Sequence, residues 1–593
     1  LLPAFARIPS VVPQLQGFRS KAIGINPYNF AARNFDRNFL NELTEDEWRK
    51  MSATVVATMT DELIEKAMSK QPAELHTKRK NEIAAKLKER RKYFEKEMLE
   101  YYRFLSRTVT VSGSNKREYF EIRRGDDDTV SVSVSKVNKD GIPEQKTFER
   151  KFAADDTREI RLYGLSGKDS FSVAGTYGGR IIVRMIGGKG DDLFLNETKT
   201  ASGKTRIYDS PAEKNMVEGT GNHRLFLSNA DGQEYDRRGY KYNILAPFIA
   251  AAYNPDDGLF LGGSLKYTVH GFRKKPFKQQ HLFVFTHALA TKAYDFRYRF
   301  EAIDAIGKAD LLFNAIVKAP NNTINFFGLG NETGYIKKKD DGIKFYRTRF
   351  DLIDGSLLLR ANKGKVFSLA AGPALQLYFM DSAENKSRFI NQTNINGLDK
   401  SIYDSKKYAG LRLVAGIDDR NDKNIPTRGV NFQTVMTAYR GLNDNSGHPT
   451  ILNSDLSFFI SFNRRARLVI ANRIGGGINF GKYEYFQAQY LSGTENLRGY
   501  RKFRFMGDKT FYHNLDLRIK LAEFKSYLFP GAIGMLAFHD VGRVWLKNEK
   551  SNRWHQGYGA GVWLAPLSRF VIAGSYARGS DGGLGLVSFG FQF

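Results

Sequence analysis

The sequence predicts an all-β transmembrane barrel of 16 antiparallel strands, preceded by a periplasmic α-helical segment and a small glycine-rich β module. Three observations carry this prediction. Segments of about ten or more residues alternate apolar and polar side chains from Gly239 onward. There are sixteen of them, an even number, and long connections alternate with short ones, as in bacterial outer-membrane barrels.

The composition of the chain limits the kinds of partner, metal site and membrane segment that can be expected. Lys and Arg number 91 against 63 Asp and Glu, a net charge of +28. This excess is spread through turns and strand ends, so a nucleic-acid partner is not expected. The chain contains no cysteine, which excludes disulfides and thiolate metal sites. No run of about 18 apolar residues occurs, which excludes a transmembrane helix but not a membrane barrel.

The N-terminal part divides into three predicted segments. Residues 1–42 have no periodicity and predict an extended leader or linker. Residues 43–106 predict a helical segment, because Thr44 and Glu47 form a capping-box pattern and apolar residues recur at helical spacing over about 73–106. The basic residues of this second helix fit a solvated face better than a lipid-binding one.

Residues 107–238 predict a small β-rich periplasmic domain containing a repeat of 23 residues. Gly164–Phe171 returns as Gly187–Phe194, each copy after a strand-like run, which suggests stacked rungs. The second copy fits a calcium-binding repeat, so Asp169 and Asp192 are the ligands that a calcium site would use. Calcium takes six to eight oxygens and two turns offer few, so tight glycine turns without metal are the favoured interpretation.

Residues 239–593 carry the barrel pattern. The predicted strands are 240–252, 258–270, 280–291, 294–306, 308–319, 343–361, 364–381, 406–418, 427–440, 452–463, 465–479, 510–522, 532–545, 555–565, 568–579 and 584–593. An even number of strands puts the N-terminal and C-terminal ends of the barrel sequence on the periplasmic side. A lumen lined with Arg, Lys and Asp would also suit a passive pore.

Alternation assigns side chains to faces. In the twelfth strand Leu517 and Ile519 point to lipid, which leaves Asp516 in the lumen, and Asp540 shares that orientation in the thirteenth. In the last strand the lipid-facing residues are predicted to be Val587, Phe589, Phe591 and Phe593, while Ser588, Gly590 and Gln592 face inward.

Three motifs resemble the outer-membrane assembly-factor superfamily, the BamA and TamA type barrels also called bacterial surface antigens. They are Leu497–Tyr500 in the sixth outer loop, Phe538–Gly542, and a turn formed by Asp419–Asp422 and Pro426–Gly429. The resemblance covers about residues 239–593.

The resemblance implies roles for particular residues. Loop six would fold back into the lumen, where Arg498, next to Gly499, would bind Asp540 and also Asp516, which stands where the family usually has Glu. A guanidinium between two carboxylates makes charge-assisted hydrogen bonds that can lock the loop. The family's gate lies between the first and last strands, which carry Pro247 on one side and Gly585 and Gly590 on the other. The terminal Phe589, Phe591 and Phe593 would form the C-terminal assembly signal.

One departure bears on function. Family members that insert or secrete proteins carry POTRA domains, and no such units are recognisable before residue 239. The helical segment and glycine-rich module are instead similar to the connecting region of Bacteroidetes fusions in which a metallophosphatase domain precedes the barrel.

We therefore expect a non-enzymatic barrel of the bacterial outer membrane with its N-terminal region in the periplasm. It would act in insertion or export of proteins or lipids. The expected partners are membrane lipid, lipopolysaccharide, client outer-membrane proteins and partner subunits, with no cofactor unless calcium binds. The alternatives are a passive pore and an anchor or exporter for an upstream hydrolase.

Overall fold

Two units make up the chain in the computed structural model, Leu1–Lys241 and Tyr242–Phe593. The structure describes residues 17–593 apart from 73, 75, 177–178, 200–203, 228–234, 337–341, 365, 393–395, 399 and 527–529. None of the helices in these ranges combines the length and the hydropathy needed to cross a lipid bilayer.

Five helices open the first unit. They are α1 (Ile25–Asn29), α2 (Arg33–Phe39), α3 (Glu45–Thr58), α4 (Asp61–Ser69) and α5 (Thr77–Ser106). The capping box at the start of α3 is confirmed, because Thr44 N donates to Glu47 at 2.6 Å and Glu47 N donates to the Thr44 hydroxyl at 3.4 Å. These two bonds satisfy N–H groups that would otherwise lack a partner at the helix end.

The extended leader predicted for residues 1–42 is wrong in its described part, since it contains α1 and α2. Both helices are short and owe their position to packing on α5. Ile25 is buried with Tyr101 and Leu105 of α5, and Arg37 donates to the Leu105 carbonyl. Helices of five and seven residues are too short for an apolar period to show in the sequence.

The β module consists of two stacked sheets. Its strands are β1 (Thr108–Ser112), β2 (Glu118–Arg124), β3 (Thr129–Val137), β4 (Pro143–Ala153), β5 (Glu159–Ser166), β6 (Ser170–Gly175), β7 (Ile182–Lys189), β8 (Leu193–Asn196), β9 (Thr205–Asp209), β10 (Met216–Glu218) and β11 (His223–Leu227). One sheet has the order β1-β5-β7-β9-β11 and is parallel throughout. The other has the order β10-β8-β6-β2-β3-β4 and is parallel from β10 to β2.

The repeat forms stacked rungs, as predicted. Leu165 lies beside Gly188 and Phe171 beside Phe194, so paired residues of the two copies are 23 positions apart. Between the sheets, Phe171 stacks on Phe120 with ring centroids 4.5 Å apart and on Phe194 at 5.0 Å. This column of aromatic rings lies in the core of the module, among buried valine and isoleucine side chains.

The second unit is a closed barrel of sixteen strands, as predicted. Its strands are β12 (Ile244–Asn254), β13 (Gly258–Val269), β14 (Gln279–Ala288), β15 (Ala293–Ile306), β16 (Ala309–Lys318), β19 (Asp351–Lys363), β20 (Phe367–Phe379), β21 (Lys406–Asp418), β22 (Gly429–Gly441), β23 (Thr450–Ser461), β24 (Leu468–Phe480), β27 (Lys509–Lys525), β28 (Pro530–Trp545), β29 (His555–Pro566), β30 (Ile572–Gly579) and β31 (Gly582–Phe589). Four short strands lie in its connections, namely β17 (Thr323–Asn325), β18 (Arg347–Arg349), β25 (Gln489–Leu491) and β26 (Phe505–Gly507).

Alternation along β27 has the predicted sense. Leu517 and Ile519 are exposed on the outer face, while Asp516 and Arg518 are buried inside the barrel. Outward apolar side chains recur around the wall, as an outer surface in contact with lipid requires.

The sixth barrel strand starts later than predicted, at Asp351 instead of 343. Residues Ile343–Tyr346 form the short helix α6, and β18 pairs with β17 in the connection. Tyr346 packs on Phe327 at 4.7 Å and on Phe389 at 5.5 Å. Aromatic residues that pack within loops mimicked the alternation of a strand.

Long connections pack together at one end of the barrel, which we call the loop end. They are residues 319–350, 380–405 and 481–508, numbered loops three, four and six in chain order. Gly330 of loop three bridges to Met506 of loop six, and Tyr378 and Tyr485 lie in one buried cluster with residues of all three connections. The loop end is therefore covered by interlocked loops.

We predict that Phe171→Ala destabilises the β module by about 3–5 kcal/mol, because it removes a fully buried ring between two others. Hydrogen exchange of peptides from residues 159–196 in the full chain would measure the loss. Phe120→Leu should cost less, since it keeps most of the apolar volume. Equal exchange in wild type and Phe171→Ala would contradict the aromatic column as the source of stability.

Candidate functional site

Loop six enters the barrel and places Arg498 against the wall. Arg498 Nε donates to Asp540 Oδ2 at 2.7 Å and Nη2 to Asp540 Oδ1 at 2.6 Å. Nη2 also donates to Asp516 Oδ1 at 2.8 Å, and the Arg498 main-chain N–H donates to Asp540 Oδ2 at 2.8 Å. The guanidinium lies 3.7 Å from the ring centroid of Phe538. The structure thus brings together the three charged residues of the predicted lock.

Neighbouring strands position the two carboxylates. Asp516 lies on β27 and pairs with Phe538 of β28, while Asp540 pairs with Asn514. Both carboxylates point inward and are 0–1 % exposed. Two buried negative charges require the guanidinium, since an unpaired charge is costly in such surroundings.

Glycines let the loop approach the wall. Gly499 has φ of +89°, and a Cβ there would lie 2.7 Å from Arg578 C. On the wall, a Cβ at Gly557 would lie 1.8 Å from the Arg498 carbonyl oxygen. Any side chain at either position would push the loop away from the wall.

The junction between the first strand β12 and the last strand β31, here called the seam, is short. In the described strands it consists of one residue pair, Tyr253 with Val587. The junction between β29 and β30 has seven pairs and is the next shortest in the barrel. Pro247 lies in β12 opposite Leu265 of β13, and Gly585 lies in β31 opposite Tyr576 of β30.

Loop six also contacts both sides of the seam at the loop end. Arg501 Nη1 is 3.2 Å from Asp256 Oδ1 and Lys502 Nζ is 3.1 Å from Asp257 Oδ2, in the loop that follows β12.

On the other side, Arg504 Nε is 2.5 Å from Asp581 Oδ2, in the loop that precedes β31. The Ser580 N–H in the same loop donates to the Tyr500 hydroxyl at 3.2 Å. We call Tyr500, Arg501, Lys502 and Arg504 the clasp, because they join the two strands that hardly pair with each other.

The last residues do not follow the predicted faces. Phe589 is exposed on the outer face, but the predictions for Phe591 and Phe593 are wrong because both lie beside Arg518 in the lumen, with centroids 4.0 and 5.3 Å from its guanidinium. The cause is Gly590, whose φ of +93° turns the chain after β31 ends at Phe589.

Asp169 and Asp192 lie in stacked turns of the β module. Asp169 Oδ1 accepts from Glu118 N and Asp192 Oδ1 from Asp169 N, both at 2.8 Å, and Asn215 Oδ1 accepts from Asp192 N in the next rung. The Oδ2 atoms of both aspartates are buried without a hydrogen-bond partner. A Cβ at Gly187 would lie 2.2 Å from Asp192 Oδ2.

Burial raises the pKa of Asp169 to about 8 and that of Asp192 to about 7. Desolvation disfavours the charged form of a carboxyl group, and the neighbouring carboxylates add to this effect. In the part of the chain that the structure describes, no three acidic, histidine or cysteine side chains are grouped to hold a metal ion. Calcium binding here stays a prediction.

Sequence reasoning missed the three basic residues of the clasp and their partners. The signal available was a run of three basic residues within seven positions after Arg498, namely Arg501, Lys502 and Arg504. Their partners Asp256 and Asp581 lie at opposite ends of the barrel sequence, and no spacing links them.

We predict that Arg498→Ala destabilises the barrel by about 3–5 kcal/mol, because it leaves Asp540 buried without its arginine and leaves Asp516 with Arg518 alone. The temperature at which the barrel unfolds on a heat-modifiability gel would measure the loss. Arg464→Ala, an exposed arginine in the turn after β23, serves as the matched control. Equal unfolding temperatures for the two variants would refute the lock.

We predict that Asp192→Asn stabilises the β module at pH 8. The folded-state pKa of Asp192 exceeds its unfolded value, so its stabilising effect is present at low pH and is lost as pH rises toward 7. An amide cannot ionise, and Asn215 shows that Asn fits this ladder. Hydrogen exchange over residues 182–196 should slow at least about tenfold at pH 8 and change little at pH 4.

The exposed neighbour Asp191→Asn is the control and should leave exchange unchanged. A calcium site would instead be supported by two results together. Exchange would be faster in Asp192→Asn than in wild type, and added calcium would slow exchange in wild type alone.

Comparisons with known proteins bear on the barrel. A search of curated proteins finds no match. BamA from Haemophilus ducreyi lacking POTRA domains 1–3 is 14 % identical, with a TM-score of 0.42 over 59 % of this chain and 70 % of that one.

CdiB from Acinetobacter baumannii is 13 % identical, with a TM-score of 0.37 over 58 % of this chain and 59 % of its own. CdiB from Escherichia coli is 12 % identical, with a TM-score of 0.39 over 58 % and 62 %. This chain thus spans less than two thirds of either CdiB. The Omp85 superfamily domain matches residues 322–593. The closed barrel described above is accordingly that of an outer-membrane protein, and its residues 322–593 are similar to the Omp85 superfamily domain.

Proposed function

We propose that this barrel acts in the insertion or export of proteins or lipids at the outer membrane, and that the seam is where cargo leaves or enters the wall. The observation that carries the proposal is the single residue pair between Tyr253 and Val587. All other neighbouring strands share longer ladders, so the wall is weakest at this junction.

The physical reason lies in the backbone. Within a bilayer each unpaired N–H or C=O costs several kcal/mol, so a closed barrel normally pairs every strand. Here β12 pairs fully with β13 through Ile244–Asn254 but meets β31 at one residue. Its free edge is a template on which another extended segment can pair. A client protein that supplies a strand fits this edge better than a lipid, which has no ladder of backbone groups.

Loop six holds the two sides of the seam together. The clasp ties the loops next to β12 and β31 to one segment, and Arg498 anchors that segment to β27 and β28. Opening of the seam would therefore need movement of loop six. The proposal assigns no catalysis to these residues.

The proposal also fixes an orientation. Long connections of outer-membrane barrels face outward and short turns face the periplasm. The loop end would then lie outside, with lipopolysaccharide around it, and the N-terminal unit would lie in the periplasm, where partner subunits could dock.

A passive pore fits the contacts at the loop end less well. Asn325 of loop three donates to Asp256 of the first loop at 2.9 Å, and Asn331 donates to Glu549 of the seventh at 2.8 Å. Loops from opposite sides of the barrel are thus joined across its opening. An anchor for an upstream hydrolase stays a prediction, which the upstream reading frame would test.

We predict that a disulfide between Tyr253→Cys and Val587→Cys abolishes insertion of a labelled outer-membrane protein into proteoliposomes and that a reductant restores it. Directly paired residues of antiparallel strands are close enough for a disulfide. The chain has no other cysteine, so the bond is unambiguous.

The matched control is Ala560→Cys with Tyr576→Cys, which joins β29 and β30 where they already pair. This bond should leave insertion unchanged. Full activity of the oxidised seam variant would rule out passage through the seam, and steady high conductance of wild type in planar bilayers would favour a pore.

A further inference from the structure

Arg518 links two parts of the barrel that are far apart in sequence. It lies on β27, faces the lumen and is 3 % exposed. Its Nη2 donates to Asp516 Oδ2 at 2.9 Å and to the main-chain oxygen of Phe593 at 2.8 Å. Its guanidinium also lies 4.0 Å from the ring centroid of Phe591. One side chain therefore holds the last residues and a member of the lock.

The last four residues follow a defined path into the barrel. Gly590 N donates to Val571 O at 2.8 Å, and its positive φ directs the next residue inward. Phe591 then packs edge-on against Trp563, at 5.7 Å, on the inner face of β29. Ile425, from the turn after β21, is packed against the same apolar cluster.

This path shortens the seam. Tyr253 pairs with Val587, and continuing that antiparallel register would place Phe248 opposite Gln592. Because residues 590–593 turn into the lumen, that part of β12 has no partner on β31. The position in which the last residues are held therefore accounts for part of the missing pairing between β12 and β31.

The same carboxylate serves loop six and the last residues. Asp516 Oδ1 accepts from Arg498, while Asp516 Oδ2 accepts from Arg518. The guanidinium of Arg518 has donors enough to bond Asp516 and Phe593 together and a flat face that stacks on Phe591. A lysine has one ammonium group and cannot reproduce this combination.

We propose that Arg518 is a positioning residue that holds Gly590–Phe593 in the lumen and so limits pairing across the seam. Through Asp516, this hold is coupled to the position of loop six. The proposal deepens the proposed function, because it names what sets the length of the seam through which cargo would pass.

Disulfide formation between Phe248→Cys and Gln592→Cys tests this in the full chain, in liposomes and without any cargo. The pair is compared in four backgrounds, which are wild type, Arg518→Met, Arg518→Lys and Arg473→Met. Arg473 is the matched control, a lumenal arginine of β24 that pairs with Asp455 at 2.7 Å. Each protein is first shown to be folded by heat modifiability.

We expect the disulfide to form at least about tenfold faster in Arg518→Met than in Arg473→Met. A factor of about ten corresponds to the loss of one hydrogen bond to a charged group. Arg518→Lys should lie between them, and it supplies the measurement if Arg518→Met does not fold. Rates equal to that of Arg473→Met in both Arg518 variants would overturn the proposal. Because no cargo is used, such a failure would leave passage through the seam to be judged by the Tyr253–Val587 disulfide alone.

Discussion

The buried arginine of loop six is the interaction on which the barrel interior depends. Arg498 pairs with two carboxylates that face the lumen from adjacent strands, Asp540 and Asp516, and Arg518 shares the second of them. Once Arg498 is fixed, the residues that follow it reach the loops beside β12 and β31. Buried ion pairs contribute little net stability compared with apolar packing, but they specify one arrangement strongly. Here the arrangement specified is the path of a loop through a barrel.

The two units treat buried carboxylates in opposite ways. In the barrel, Asp516 and Asp540 each bind arginine through ion pairs of 2.8 and 2.6 Å. In the β module, Asp169 and Asp192 stack one rung apart and bind main-chain N–H groups through one oxygen only. Their raised pKa values follow from burial without a cation. The barrel contacts therefore depend on ion pairs. The module depends on a ladder of hydrogen bonds from main-chain N–H groups to aspartate oxygens, which can form when the carboxyl groups are protonated.

The extent to which the sequence predicts this structure follows from the range of each interaction. Alternation along a strand is local, so the sixteen strands and the inward positions of Asp516 and Asp540 could be predicted. Residues 343–350 could not, since aromatic residues that pack between loops repeat with the same spacing as a strand. The faces predicted for Phe591 and Phe593 were wrong because the positive φ of Gly590 and a contact with Arg518, 75 positions before Phe593, override the alternation. The clasp joins loops from both ends of the barrel sequence, and nothing local marks such a contact.

The glycines of the β module constrain how its sequence can vary. Each turn brings an aspartate oxygen so close to the Cα of its own rung that a methyl group at Gly164 or Gly187 would overlap it. The neighbouring rung adds a second obstacle, since a Cβ at Gly164 would lie 2.4 Å from the Gly187 main-chain oxygen and one at Gly187 would lie 2.4 Å from Asp209 Oδ2. Loss of the aspartate in the same rung is therefore not enough to make a substitution of the glycine tolerable. Among homologues, the glycine should persist in rungs that have lost the aspartate, as long as another rung is stacked on them.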